Sequence, residues 1–157
     1  MMIHVLAYVA LIVAVNVAFS VVPMLPLPGG GFFPPVALLV GFVFIARDFV
    51  QRAAGHRVLW AMLAGTGISY VLADPFVATA SAVAFAISEL VDWAVYTGTR
   101  RPLSDRILLS SAIGTPVDTA IFLSMIGAFG WAGFVAMTAS KMMGALAVWM
   151  TLRRRAR

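Results

Sequence analysis

Residues 107–128 read ILLSSAIGTPVDTAIFLSMIGA. A helix crossing the hydrocarbon layer needs about 20 predominantly apolar residues, and this stretch supplies them. Its one charge, Asp118, stands near the middle, two residues after Pro116. A lone carboxylate at the centre of a span costs on the order of 2.5–3.5 kcal/mol on insertion scales. Asp118 therefore needs an opposite charge, water or a ligand, and one face of this helix must look into protein rather than lipid. Proline removes one helical hydrogen bond and clashes with the carbonyl four residues back, here that of Ala112. The stretch predicts a membrane helix kinked at Pro116. The kink is either passive or a means of turning freed backbone groups toward a cavity.

Five further apolar runs lie around it, at 3–22, 34–50, 58–73, 77–96 and 131–152. With 107–128 as helix five, they predict an all-α polytopic membrane protein of six transmembrane helices, forming a single integral membrane domain over 1–157. Composition agrees: 62% of the 157 residues are hydrophobic and 11% charged, against roughly 45–50% and about 25% in soluble domains. A soluble globular fold and a disordered chain are both excluded by those proportions. Six spans of about 20 residues use most of the chain and leave little for an extramembrane catalytic domain. Helices two and three are short for a bilayer and read as tilted or partly re-entrant. The first residues, Met1-Met2-Ile3-His4, lack a basic leader pattern, so the first run is expected to be a retained span.

Charge placement predicts the topology. The net charge is +5, and ten of the eleven Lys and Arg residues fall at one face. They are Arg47, Arg52 and Arg57, then Arg100, Arg101 and Arg106, then Arg153, Arg154, Arg155 and Arg157. The loops at the opposite face, 23–33, 74–76 and 129–130, contain no Lys or Arg, and Asp74 is their only charge. The positive-inside rule then puts both termini in the cytoplasm of a cell whose inner membrane holds the protein. A polybasic lipid-binding role is the alternative use of these arginines. The segment PMLPLPGGGFFPP at 23–35 is either a rigid connector or a lid. FIARDFV at 44–50 resembles FAISELV at 85–91, and GTGIS at 65–69 resembles GTPVD at 114–118, a faint sign of duplication.

The remaining polar residues are the ones lipid opposes. Asn16 is midway through helix one; Arg47 and Asp48 are near the end of helix two; Glu89 and Asp92 are in helix four; Lys141 is central in helix six. Glu89 and Asp92, three apart, share a helical face. Ser111, Thr115, Asp118 and Phe122 form a stripe on helix five, and Thr138, Lys141 and Ala145 one on helix six. A structural account would pair Lys141 with Asp118 or Glu89 and let Arg47 snorkel to the cytoplasm. A functional account has the acidic groups line a water-filled cavity or meet a ligand. Conventional catalytic signals are absent. There is no cysteine, His4 and His56 form no ligand pattern, and Gly29-Gly30-Gly31 lacks the Lys-Ser/Thr of a phosphate loop. Neither an enzyme activity, nor a cofactor, nor a metal is expected.

The order of these features resembles the vitamin uptake transporter family, also described as the queuosine precursor transporter family. The resemblance rests on Asn16, on GFVFIARDFVQRAAGHR at 41–57, SELVDWAVYTGTRR at 88–101 and GTPVDTAIF at 114–122, and on Lys141 in the last span. It implies import of 7-deazaguanine compounds, such as 7-cyano-7-deazaguanine or its aminomethyl relative, for making queuosine in tRNA. A nucleic acid is not itself a partner, and a homo-oligomer is left open. A guanine-like edge presents adjacent N–H donors, which a carboxylate can accept in parallel as it does from Arg. On that reading Asp48, Glu89 and Asp118 recognise the solute and Asn16 or Lys141 meets its carbonyl. Asp92 and Lys141 complete or neutralise the network, with the Thr115 hydroxyl at the depth of Asp118. Phe44, Phe85 or Trp93 would stack on the ring. The competing readings are a membrane subunit served by a separate ATPase and an intramembrane enzyme.

Overall fold

The computed structural model describes residues 2–28, 30–99 and 101–155, apart from the side chains of Glu89, Tyr96 and Arg155. Among the described residues the elements run α1 (Met2–Val21), β1 (Leu25–Pro26), β2 (Phe32–Phe33), α2 (Ala37–Ala54), α3 (Val58–Leu72), α4 (Pro75–Gly98), α5 (Leu103–Met125) and α6 (Trp131–Arg155). A single 3₁₀ turn, Gly55–Arg57, joins α2 to α3. The architecture is all-α, as expected for a membrane protein. Among the described residues, four helices are long and apolar enough to cross a membrane: α1, α4 over Pro75–Val95, α5, and α6 over Trp131–Arg154. The other two differ for visible reasons. Charges in α2 lower its hydropathy, and α3 has only 15 residues.

Local chemistry sets the helix ends. The Asp74 side chain accepts from the backbone N–H groups of Phe76 and Val77, both at 3.0 Å, and Pro75 occupies the first helical turn. That is a standard N-cap, so α4 starts two residues before the apolar run suggested. It also gives the one charge of this face a structural role, reinforced where the Asp74 N–H donates to Ser20 Oγ at 2.9 Å and ties α4 to the end of α1. Helix α5 starts at Leu103, directly after Pro102, with Asp105 in its first turn, where a carboxylate suits the helix dipole. It runs unbroken through Pro116. It stops before Gly127, whose φ is +69°. Gly127 N–H donates to Ser124 O at 3.2 Å and Ala128 N–H to Leu123 O at 2.9 Å, the paired bonds of a Schellman termination.

The helices pack as α1 on α3 and α2, α2 on α6, α6 on α5, and α5 on α4. The interior is built from one stripe of each helix: Tyr8, Ile12, Val15 and Phe19 from α1 meet Val40, Phe44, Phe85, Phe122 and Met137. Large apolar residues such as Leu6, Leu63, Val71, Val135 and Met143 point outward. An apolar exterior around an interior holding charges suits lipid as the solvent. Trp131 and Trp149 stand eighteen residues apart on α6, a rise of about 27 Å, close to the ~30 Å hydrocarbon core whose borders Trp favours.

The segment at 23–35 is a small hairpin, with Leu25 opposite Phe33 and Pro26 opposite Phe32. It is pinned to the start of α6. A side chain on Gly133 would meet Phe32 O at 2.6 Å, and one on Gly130 would meet Gly31 Cα at 2.9 Å. Of the two readings of this loop, that contact matches a fixed connector.

A second close approach holds α2 against α6. A Cβ on Gly41 would collide with the backbone carbonyl of Lys141. Backbone cannot yield as a flexible side chain can. Gly41→Ala is therefore expected to destabilise the bundle by about 1–3 kcal/mol, the usual range for overpacking. Gly67→Ala, in open space on α3, should be neutral. Thermal unfolding of both variants in detergent checks this; equal midpoints would remove the close-approach argument.

Candidate functional site

The contact at Gly41 fixes the depth and direction of Lys141. The lysine is buried on α6, and its Nζ donates to Asp118 Oδ2 at 2.5 Å and to Thr119 Oγ1 at 3.1 Å, both on α5. The pairing left open between Asp118 and Glu89 is thus made to Asp118. The Glu89 side chain lies outside the described residues, as does that of Tyr96.

Beside this pair is a cavity of about 30 Å³ to which all six helices contribute. Its polar lining is Asn16, Thr66, Ser69, Ser81, Asp118 and Lys141; its rings are Phe19, Phe85 and Phe122. Asn16 Nδ2 donates to Ile12 O at 3.0 Å and to Ser69 Oγ at 3.2 Å, and Ser69 Oγ donates to Gly65 O at 2.7 Å. The Asn16 carbonyl oxygen is buried and has no hydrogen-bond partner among the described residues. It is a spare acceptor next to a charged pair. The hollow is water-sized, since a water needs roughly 10–15 Å³ on this measure, whereas ligand pockets run to about 300–1,000 Å³. The expected compartment for a flat heterocycle is therefore too small in this conformation to hold one, because side chains of all six helices converge on it.

The other acidic residues form a separate cluster. Arg47 on α2 pairs with Asp92 on α4 and lies 3.3 Å from Asp48 Oδ1, and its Nη1 donates to Gln51 Oε1 at 2.5 Å. Arg47, Asp48 and Asp92 are each no more than 2% exposed. This corrects the expectation that Arg47 snorkels to the surface. Its position on α2 faces the bundle, where two carboxylates hold it. It also separates Asp48 and Asp92 from Asp118, since neither lines the cavity. Phe44 lies outside the lining as well and packs on Phe85 with ring centroids 5.9 Å apart. Thr115 is fully buried and its hydroxyl turns back to Ser111 O at 2.7 Å. Trp93 is far from a stacking position, with its indole N–H 3.4 Å from His56 Nδ1 at the basic face.

Of the residues singled out in the sequence, Asn16, Phe85, Asp118, Phe122 and Lys141 come together at the cavity. Thr66 and Ser69 were missed because α3 offered no charge. The signal was present in the likeness of GTGIS to GTPVD, which aligns Ser69 with Asp118, and both line the cavity.

Breaking a buried pair by removing one partner typically costs 3–5 kcal/mol, while replacing both by apolar groups is often neutral. Lys141→Met is therefore expected to destabilise by about that amount. The double variant Lys141→Met with Asp118→Leu should recover most of the loss. Unfolding in detergent measures both; a double variant as unstable as the sum of the single ones would show that the two charges are not coupled.

Sequence comparison places this geometry in a family. The model of the family described as "Putative vitamin uptake transporter" matches residues 70–152, just over half of the chain. The match covers Phe85, Asp118 and Lys141 of the cavity, Asp92 of the Arg47 cluster, and Thr115. No curated protein and no solved structure matches the chain significantly. An all-α bundle with an apolar exterior, buried charge pairs and a polar cavity is in keeping with a membrane transporter, and the chain belongs to the vitamin uptake transporter family.

Proposed function

We propose that the protein imports 7-deazaguanine precursors of queuosine across the inner membrane. The observation that carries this reading is the cavity, where an unpartnered acceptor (Asn16 Oδ1), a carboxylate (Asp118) and an ammonium (Lys141) sit among three phenyl rings. A deazaguanine has complementary features: a flat apolar face, adjacent N–H donors and a carbonyl. Asp118 would accept the donors, Asn16 Oδ1 a further N–H, and Lys141 would turn to the carbonyl. Phe85, with Phe19 and Phe122, would pack on the ring. Lys141 then keeps Asp118 neutralised while no solute is bound, so the empty site does not leave a bare charge in the bundle. Asp48, Asp92, Phe44 and Thr115 support the site from outside it. The Glu89 carboxylate, on the same helix as Asp92, is assigned to solute recognition.

In this reading all six helices cross the membrane, with α2 and α3 tilted, and both termini are cytoplasmic. Flux follows the solute gradient, with metabolic trapping, or is coupled to an ion by alternating access. Either way the helices must part, since the hollow is far smaller than a bicyclic solute.

Uptake is tested in a strain unable to make deazaguanines, supplied with external precursor, by measuring queuosine in its tRNA. Expression of the protein should restore the modification. Failure with the protein present in the membrane, while an established importer succeeds, overturns the substrate assignment. Asp118→Asn and Asn16→Leu should each reduce uptake about 10-fold or more per amount of folded protein in the membrane, the worth of a charged or buried hydrogen bond. Topology has its own check: reporters that fluoresce only in the cytoplasm should be active at either terminus, and a silent terminus would exclude the six-span arrangement.

A further inference from the structure

All the residues lining the cavity lie in the half of the bundle away from the basic face. On α2 they are Val40 and Val43, on α4 Ala78 to Phe85, on α5 Asp118 and Phe122, and on α6 Met137 and Lys141. Successive helices are antiparallel because the links between them are short. The next layer toward the basic face is therefore formed by residues further along α2 and α4. First comes the Phe44–Phe85 ring pair, and then the Arg47, Asp48, Asp92 and Gln51 cluster.

The elements that carry this layer matter. Helix α2 packs on α6 and α1, and α4 packs on α5, but α2 and α4 hardly meet through their backbones. Arg47–Asp92 and Phe44–Phe85 bridge that gap with side chains. Such a bridge can break without dismantling a helix–helix interface, provided its charges find new partners. Asp48 and Gln51 already contact the guanidinium from its own helix. Arg47 can thus release Asp92 and stay partly neutralised on α2. One Asp92 oxygen is buried without a hydrogen-bond partner among the described residues, so Asp92 also stands to gain from water reaching it. Gly114 leaves room beside Asp92, with its virtual Cβ 3.6 Å from Asp92 Cβ.

We propose that Arg47 and Asp92, backed by Asp48 and Gln51 and roofed by Phe44 and Phe85, form the barrier that closes the cavity toward the basic face, and that release of the Arg47–Asp92 pair opens it there. The proposal rests on the transport reading above, but not on which solute is carried.

The test uses cysteine accessibility, which needs no solute, so failure of the substrate assignment does not affect it. The chain has no cysteine, and Ser81→Cys places one thiol in the cavity lining. A membrane-impermeant methanethiosulfonate is applied from the basic face, in vesicles oriented to expose it. Ser81→Cys alone should react slowly. Adding Arg47→Gln with Asp92→Asn, which removes both charges, should raise the rate at least tenfold. Arg47→Lys should give an intermediate rate. Adding Asp105→Asn instead, which removes a carboxylate that accepts from Trp149 outside this layer, should leave the rate within about twofold of the Ser81→Cys background. Monodisperse elution in detergent confirms folding. A fast rate in Ser81→Cys alone, no increase in either Arg47 variant, or an equal increase with Asp105→Asn would overturn the proposal.

Discussion

A charge inside a lipid-bounded bundle must meet an opposite charge, and that requirement organises this molecule. Lys141 is buried and bonded to Asp118, while Arg47 is buried between Asp48 and Asp92. Each ion would be costly alone in the interior. Each cross-helix bond therefore constrains two helices in rotation and depth: α6 against α5 in one case, α2 against α4 in the other. Apolar packing by itself discriminates less between neighbouring registers, because one aliphatic side chain can replace another at modest cost.

Close backbone packing makes the first pair possible. Gly41 lets α2 lie directly on α6 at Lys141, and Gly144, one turn further along α6, faces the same helix near Ile45. With α2 against its back, the lysine side chain is directed to α5. Small residues are the common device for close helix contact where lipid gives no hydrophobic drive to associate. The result is a bundle in which α2, α6, α5 and α4 form a continuous packed series, while α1 and α3 pair on each other and close the cavity with Asn16, Thr66 and Ser69.

The two charged groups have different surroundings. Asp118 and Lys141 border a hollow together with a spare amide oxygen, hydroxyls and three rings. Arg47, Asp48 and Asp92 do not line that hollow and are buried nearer the basic face. The first arrangement lines a hollow that something else can enter; the second bridges α2 and α4 outside that hollow. A transport cycle needs both kinds of element, a place where a solute is stabilised and a place that keeps the path shut. On the transport reading proposed above, the water-sized hollow fits a state in which no solute is held.

Much of this could be read from the chain. Which segments enter lipid is a property summed over about 20 consecutive residues, so the helices of 107–128 and its neighbours were legible to within a few residues. The departures at Asp74-Pro75, Pro102 and Gly127 follow from capping chemistry that hydropathy does not register. The cost of intramembrane charge likewise marked Asp118, Lys141, Asp48 and Asp92 as residues needing partners. Which partner each takes was not legible. Lys141 meets Asp118 because Gly41 admits α2 behind it, and Arg47 turns inward to Asp92 on a helix far away in sequence. Nor could the chain reveal that Asn16 joins the Asp118 site while Asp48 and Asp92 do not. Partition into lipid is a local sum that sequence contains, whereas ion pairing and cavity shape depend on distances between helices, and those exist only once the bundle has packed.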